Sequence, residues 1–160
     1  MRVALAADHA GFALKEALRE DLAAGGHEIV DLAPRAPGPE DDYPEHAVRV
    51  GEAVRSGRAE RGVLVCGSGV GVAIAANKLP GVYAGVCHDT YSAHQGVEHD
   101  AMNVLALGAR VVGEALAREI VRAFLGARPS AEERHRRRVS LTRSIEARAL
   151  QGGAHDRADP

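Results

Sequence analysis

The sequence predicts an α/β fold in three layers: a five-stranded parallel sheet with helices on both faces, and an extended C-terminal helix. Three observations predict it. Short apolar runs of strand character alternate with longer stretches of helical period along the chain. Polar residues of the kind that do chemistry fall just where these strands stop: Asp8 with His9, Cys66 with a glycine loop, and His88 with Asp89. Ligands of open parallel sheets bind at the carboxyl ends of the strands. Finally, 160 residues with 46% hydrophobic content suffice for one core, and no internal repeat suggests a second.

Residues 3–7 read as the first strand, and residues 11–24 as a helix with Leu14, Leu18 and Leu22 on one stripe. A short strand over 29–32 precedes a loop from Pro34 to Pro44, which carries four prolines and the acidic cluster Glu40-Asp41-Asp42. A helix over 45–55 leads to the apolar run ending at Cys66, then to Gly67-Ser68-Gly69-Val70-Gly71 and an alanine-rich helix toward Lys78. Further elements are expected over 82–87 (strand), 90–98 (helix), 104–107 (strand) and 113–125 (helix), the last with Leu116, Ile120, Val121 and Phe124 on its apolar side. This is the order of a Rossmann-like sheet. Ser130-Ala-Glu-Glu133 fits a capping box for a final helix reaching toward Ala149. Its apolar positions Val139, Leu141, Ile145 and Leu150 are sparse for a helix packed in its own domain, as expected if it lies across a neighbouring subunit. One domain is expected over 1–150, with residues 151–160 as a disordered polar tail.

Composition narrows the function. A net charge of −2 argues against general affinity for nucleic acid or acidic membranes, and no apolar stretch reaches membrane-spanning length. The opening Met-Arg-Val-Ala-Leu-Ala-Ala reads as a strand rather than a leader. Two cysteines without metal-ligand spacing point to free thiols in a reducing compartment, hence the cytoplasm.

The chemistry concentrates at residues 66–71. Alternating glycines let backbone N–H groups face an anion, and the following helix start adds partial positive charge. A cysteine there is placed to become a reactive thiolate, whereas Cys87 lacks such a setting and reads as structural. The loop lacks the last glycine of a dinucleotide fingerprint. A phosphatase-type cysteine loop would need a closing arginine where Val72 stands. Asp8 is a natural cap for the helix after it, and His9 adds a polar group at the same sheet edge. His99 is a candidate acid–base group after a helix. Arg134 and Arg138, four apart, share a helical face able to hold a phosphate, and Arg110 lies at a strand end.

Taken together, Ala7-Asp8-His9-Ala10-Gly11, Asp42-Tyr43-Pro44, Cys66-Gly-Ser-Gly-Val-Gly71, Ala75-Ala-Asn-Lys78, Glu98-His99, Asn103-Val-Leu105, Gly108-Ala-Arg-Val-Val-Gly113 and Arg134-His-x-x-Arg138 resemble the ribose-5-phosphate isomerase B and galactose-6-phosphate isomerase family, in family order. The resemblance implies aldose–ketose isomerisation of a sugar phosphate through an enediolate, without metal or organic cofactor. Cys66 would be the base, Ser68 would move a proton between oxygens, and His99 would open the sugar ring. The backbone at Gly67, Gly69, Val70 and Gly71 would steady the enediolate. Asp8 and Tyr43 would hold hydroxyls, and His9, Arg110, Arg134 and Arg138 the phosphate. It also implies homodimers, or dimers of dimers, with sites drawn from two chains.

Val72 and Cys66 mark the cysteine type, since other members carry a glutamate base after the loop. The chain departs from the family where His99-Asp100-Ala101-Met102-Asn103 replaces His-Asn-Asp-x-Asn, and where Val97 replaces an arginine. Asp100 sets an extra acid beside the sugar. Ribose 5-phosphate is the first substrate expected; allose 6-phosphate, galactose 6-phosphate, a tetrose phosphate, or binding without catalysis are the alternatives.

Overall fold

Five parallel strands lie in the order β2-β1-β3-β5-β4 in the computed structural model, which describes residues 1–33, 38 and 40–152. The elements in chain order are β1 (Arg2–Ala7), α1 (Phe12–Ala24), β2 (Glu28–Asp31), α2 (Tyr43–Arg55), β3 (Arg61–Cys66), α3 (Val70–Ala76), β4 (Ala84–Val86), α4 (Thr90–Asp100), β5 (Val104–Gly108), α5 (Glu114–Gly126) and α6 (Glu133–Gly152). The chain steps outward from β1 to β2, then crosses back to β3 on the other side of β1. That reversal makes the β1/β3 boundary a switch point, where an open sheet leaves a crevice at its carboxyl edge.

Both faces of the sheet are covered, so its strands read as continuous apolar runs. Alternation of side chains along each strand divides the core in two. Val3, Leu5, Val63, Val65, Leu105 and Leu107 pack with α1, α4 and α5 residues such as Leu18, Val97 and Ile120. Ala4, Ala6, Leu64, Cys66 and Ala106 pack with Ala47, Val50, Val72 and Ala76 of α2 and α3. With aromatics at 3%, small strand residues let α2 and α3 lie close on their face. Cys66 belongs to that face, which fixes the direction of its sulfur.

Several boundaries differ from expectation for local reasons. Helix α2 begins at Tyr43, because Pro44 is tolerated in a first turn. Strand β4 is short. On its outer side, Asn77 caps the edge by donating Nδ2–H to the Ala84 carbonyl (2.9 Å) and accepting the Ala84 N–H (2.8 Å). Helix α4 runs on to Asp100, so His99 lies in its last turn instead of after it. Val97 is buried in the core. The capping box does not form: Ser130 Oγ accepts the Glu132 N–H at 3.2 Å, while α6 starts at Glu133. Gln151 and Gly152 belong to α6, and the rest of the expected tail, 153–160, lies outside the described residues. So do residues 34–37 and 39 of the Pro34–Pro44 loop. Among the described residues, no helix is long and apolar enough to cross a membrane.

Helix α4 ends on Ala101 at φ 57°, ψ 32°, the left-handed region that a Cβ disfavours. Ala101→Gly should therefore raise stability by about 1 kcal/mol. A higher urea midpoint at unchanged slope would register it, and an unchanged midpoint would contradict it.

Candidate active site

Register brings the first group of candidates together. Ala7 lies beside Val65, and Cys66 beside Gly108, so the residues that leave β1, β3 and β5 emerge side by side. The Asp8 N–H donates to the Val65 carbonyl (3.3 Å), and Asp8 Oδ1 accepts the Gly11 N–H (2.9 Å). Asp8 thus caps the turn into α1 while it borders the crevice. His9 beside it is exposed.

The loop after β3 is bolted to the loop after β5. Ala109 N–H donates to the Cys66 carbonyl (2.8 Å), and Arg110 N–H to the Gly67 carbonyl (3.0 Å). A Cβ on Gly108 would stand 2.7 Å from the Ser68 carbonyl oxygen, so only glycine allows this crossing. Gly69 then turns the chain into α3 at φ 82°. That turn aims the Gly69 N–H at Cys66 Sγ, 3.0 Å away. Cys66 is 5% exposed, at the floor of the loop. Ser68 and Val70 are exposed, and the Val70 N–H reaches Ser68 Oγ at 3.3 Å. Gly69 and Val70 donors are therefore engaged. The N–H groups of Gly67, Ser68 and Gly71 make no hydrogen bond among the described residues, and these are the ones available to an anion.

Two side chains wall the crevice. Tyr43, 43% exposed at the start of α2, lays its ring against Gly71, where a Cβ would come within 2.9 Å of it. The exposed Arg110 extends over Gly67. Asp8, His9, Tyr43, Cys66 to Gly71 and Arg110 thus form one cluster.

The remaining candidates stand elsewhere. His99 and Asp100 end α4 near the opposite, amino edge of the sheet. There Arg61, which begins β3, donates to the carbonyls of Met102 (3.1 Å) and Ala127 (3.2 Å). Five residue steps along β3 separate Arg61 at that edge from Cys66, about 16 Å at 3.3 Å per residue. Arg134 and Arg138 project from α6 beside them, both exposed, with Arg134 Nε 2.8 Å from Glu132. Within one chain these four do not reach the Cys66 cluster.

His135, which sequence reasoning passed over inside Arg134-His-x-x-Arg138, is the buried member of α6. Its ring meets that of His99 edge-on, with centroids 3.8 Å apart and planes at 73°. Burial, then the neighbouring His99 and Arg134, holds its imidazole below the ordinary histidine range. Its placement between two arginines on one helix turn was the available signal. Cys87 is buried and its thiol pushed up to about 11 by burial and by Asp89, in keeping with a structural role. Asp89 caps α4 through the Ser92 N–H (2.7 Å).

Two consequences can be measured. Gly108→Ala should cost about 1–3 kcal/mol, because the Ser68 backbone cannot yield as a side chain would. Thermal unfolding reads this, and an unchanged Tm would show that the crossing is looser than described. The folded state disfavours the charged form of His135, so the unfolded state takes up more protons below about pH 6.5, the ordinary histidine value. Stability should fall as pH drops through that range, and less steeply in His135→Gln. Equal slopes for the two proteins between pH 7.5 and 5.5 would refute the assignment.

Comparison with known proteins places the chain in one family. Residues 3–141 match the family model described as Ribose/Galactose Isomerase. The chain is 43% identical over 147 residues to ribose-5-phosphate isomerase B of Escherichia coli, covering 92% of this chain and 97% of that one. It is 39% identical to a D-erythrulose-4-phosphate isomerase of Pectobacterium atrosepticum, over 79% of this chain and 84% of the relative. The solved structure of Clostridium thermocellum ribose-5-phosphate isomerase B superposes with a TM-score of 0.88 at 41% identity, covering 93% of this chain and 99% of that one. With its sheet order, its cysteine loop and these likenesses, the chain belongs to the ribose/galactose isomerase family.

Proposed function

We propose that the chain is an aldose–ketose isomerase of sugar phosphates, with ribose 5-phosphate as the first substrate and no metal or organic cofactor. The observation that carries the proposal is the Cys66 sulfur beside a loop whose Gly67, Ser68 and Gly71 N–H groups have no hydrogen-bond partner among the described residues. The names of its relatives support the same reaction class, and the tetrose-phosphate relatives keep a four-carbon substrate in the panel to be tested.

In this reading the Cys66 thiolate removes the proton on C2 of the open-chain aldose. The C2–H electron pair forms a C1–C2 double bond, and the C1 carbonyl pair moves onto O1. The unpartnered N–H groups stabilise that oxyanion, the largest contribution such a site offers. Ser68 Oγ carries the proton of O2 to O1, and Cys66 returns its own proton to C1, which leaves a ketone at C2. Asp8 and Tyr43 hold sugar hydroxyls, while His9 and Arg110 face the phosphate.

His99, Asp100, Arg134 and Arg138 are assigned to the site of a second copy. Each site of the homodimer, or of a dimer of dimers, then combines one chain's Cys66 cluster with the other's α4 and α6. His99 opens the furanose, Asp100 accepts sugar hydroxyls, and the two arginines hold the phosphate. The exposure of Leu141 (58%), Ile145 (60%) and Leu150 (59%) on α6 supports this, because a second copy would cover them. A working thiol calls for a reducing compartment, so the cytoplasm is the assigned location.

Purified protein should convert ribose 5-phosphate to the ketose, and Cys66→Ala should lose about 10²–10⁴-fold in kcat. His99→Ala should also be impaired. Equimolar mixing of these two variants with subunit exchange should restore about a quarter of wild-type activity, since half the dimers then hold one intact site of two. Binding without turnover of ribose, allose, galactose or tetrose phosphates would make the protein a sensor. Full activity in Cys66→Ala would exclude the thiol, and no recovery on mixing would exclude shared sites.

A further inference from the structure

At the start of α2 lies a polar pair, a buried His46 and a partly buried Asp41, that the reaction above does not use. His46 is fully buried, and its Nε2 lies 2.7 Å from Asp41 Oδ1 and 2.8 Å from Oδ2. Nδ1 is buried as well and has no partner among the described residues. The ring therefore donates through Nε2–H, which leaves a bare lone pair inside and not an unsatisfied N–H. A partly buried pair of this kind adds little net stability, because desolvation offsets the attraction. Its return is geometric.

The pair spans the first turn of α2, from Asp41 in the incoming chain to His46 in the helix. Asp42, at the N-cap position, makes no side-chain cap, and Pro44 has no N–H to offer. The Asp41–His46 bond thus ties the incoming chain to the first turn by a side-chain link, where no side-chain cap forms. Tyr43 sits between its two anchor points and three residues before His46, on the same helix face. Its ring is the one that rests on Gly71.

We propose that Asp41 and His46 are positioning residues that hold the Tyr43 ring against Gly71 and so set how tightly the sugar is held, without touching the reacting atoms. The sugar-binding consequence rests on the isomerase reading; the position of the ring does not.

Two readouts separate these. In the ligand-free protein, the Tyr43 ring current shifts the Gly71 amide and α-proton resonances, and Tyr43→Leu defines the unshifted values. His46→Leu should lose most of that shift, and so should Asp41→Ala, which alters a residue near the surface and should fold if His46→Leu does not. His46→Gln, whose amide can donate from the Nε2 position, should recover it. In the kinetic arm, His46→Leu should raise KM about tenfold with kcat within about threefold, as expected when one orienting hydrogen bond is lost. The same change in a Tyr43→Leu background should have no further effect on KM. Lower Tm with the Gly71 shift and KM both intact would reduce the pair to a structural role and overturn the proposal. If the wild-type protein turns over no aldose phosphate, the isomerase reading falls, while the Gly71 resonances still decide whether the pair positions Tyr43.

Discussion

The crossing of Ser68 over Gly108 is the constraint on which the rest of the site depends. Strands β3 and β5 end in register at Cys66 and Gly108, and the loops that follow must share one small space. Glycine at 108 lets the Ser68 backbone close in, and hydrogen bonds from Ala109 and Arg110 to the Cys66 and Gly67 carbonyls lock the two loops. Once they are locked, the left-handed turn at Gly69 has one direction to take. It sets an N–H on the sulfur, while the N–H groups of Gly67, Ser68 and Gly71 keep no partner among the described residues. Thiol placement, donor placement and the Arg110 wall all descend from one close backbone contact.

A second constraint comes from the polarity of a parallel sheet. Helices that return the chain between parallel strands run against them, so residues at the ends of strands and residues at the ends of helices gather at opposite edges. Asp8 and Cys66 leave strands; His99 and Asp100 leave α4. No adjustment of side chains in one chain brings these groups together over the length of β3. The proposed two-fold pair of chains would join these two separated groups of candidates, and would cover the exposed Leu141, Ile145 and Leu150 of α6.

Much of the fold was legible in the sequence because buried parallel strands and amphipathic helices differ in period and length. Leu14, Leu18 and Leu22 marked α1, and the run ending at Cys66 marked β3. Less legible were features set by distant partners. Lys15 is buried because its Nζ meets Asp31 Oδ2 at 2.8 Å, a pairing across the gap between α1 and β2. His46 and His135 look like ordinary helix residues until their partners, Asp41 and His99, are in place. The capping box at Ser130 failed for the same reason: the Ser130 N–H donates to the Glu98 carbonyl at 2.8 Å, so this segment follows α4 and not the local helix rule.

By itself the sequence determined the α/β class and the five strands, and it marked out candidate site residues, including a cysteine beside alternating glycines. These depend on local periodicity and on motifs that keep their spacing along the chain. Only the tertiary structure decided that Gly69 serves the sulfur while Gly67, Ser68 and Gly71 keep their donors, because that turns on the Ser68–Gly108 crossing. Only it decided that His99, Asp100, Arg134 and Arg138 stand apart from Cys66. Distance along a sheet depends on which strands are neighbours and which way they run, and no local pattern of residues encodes that.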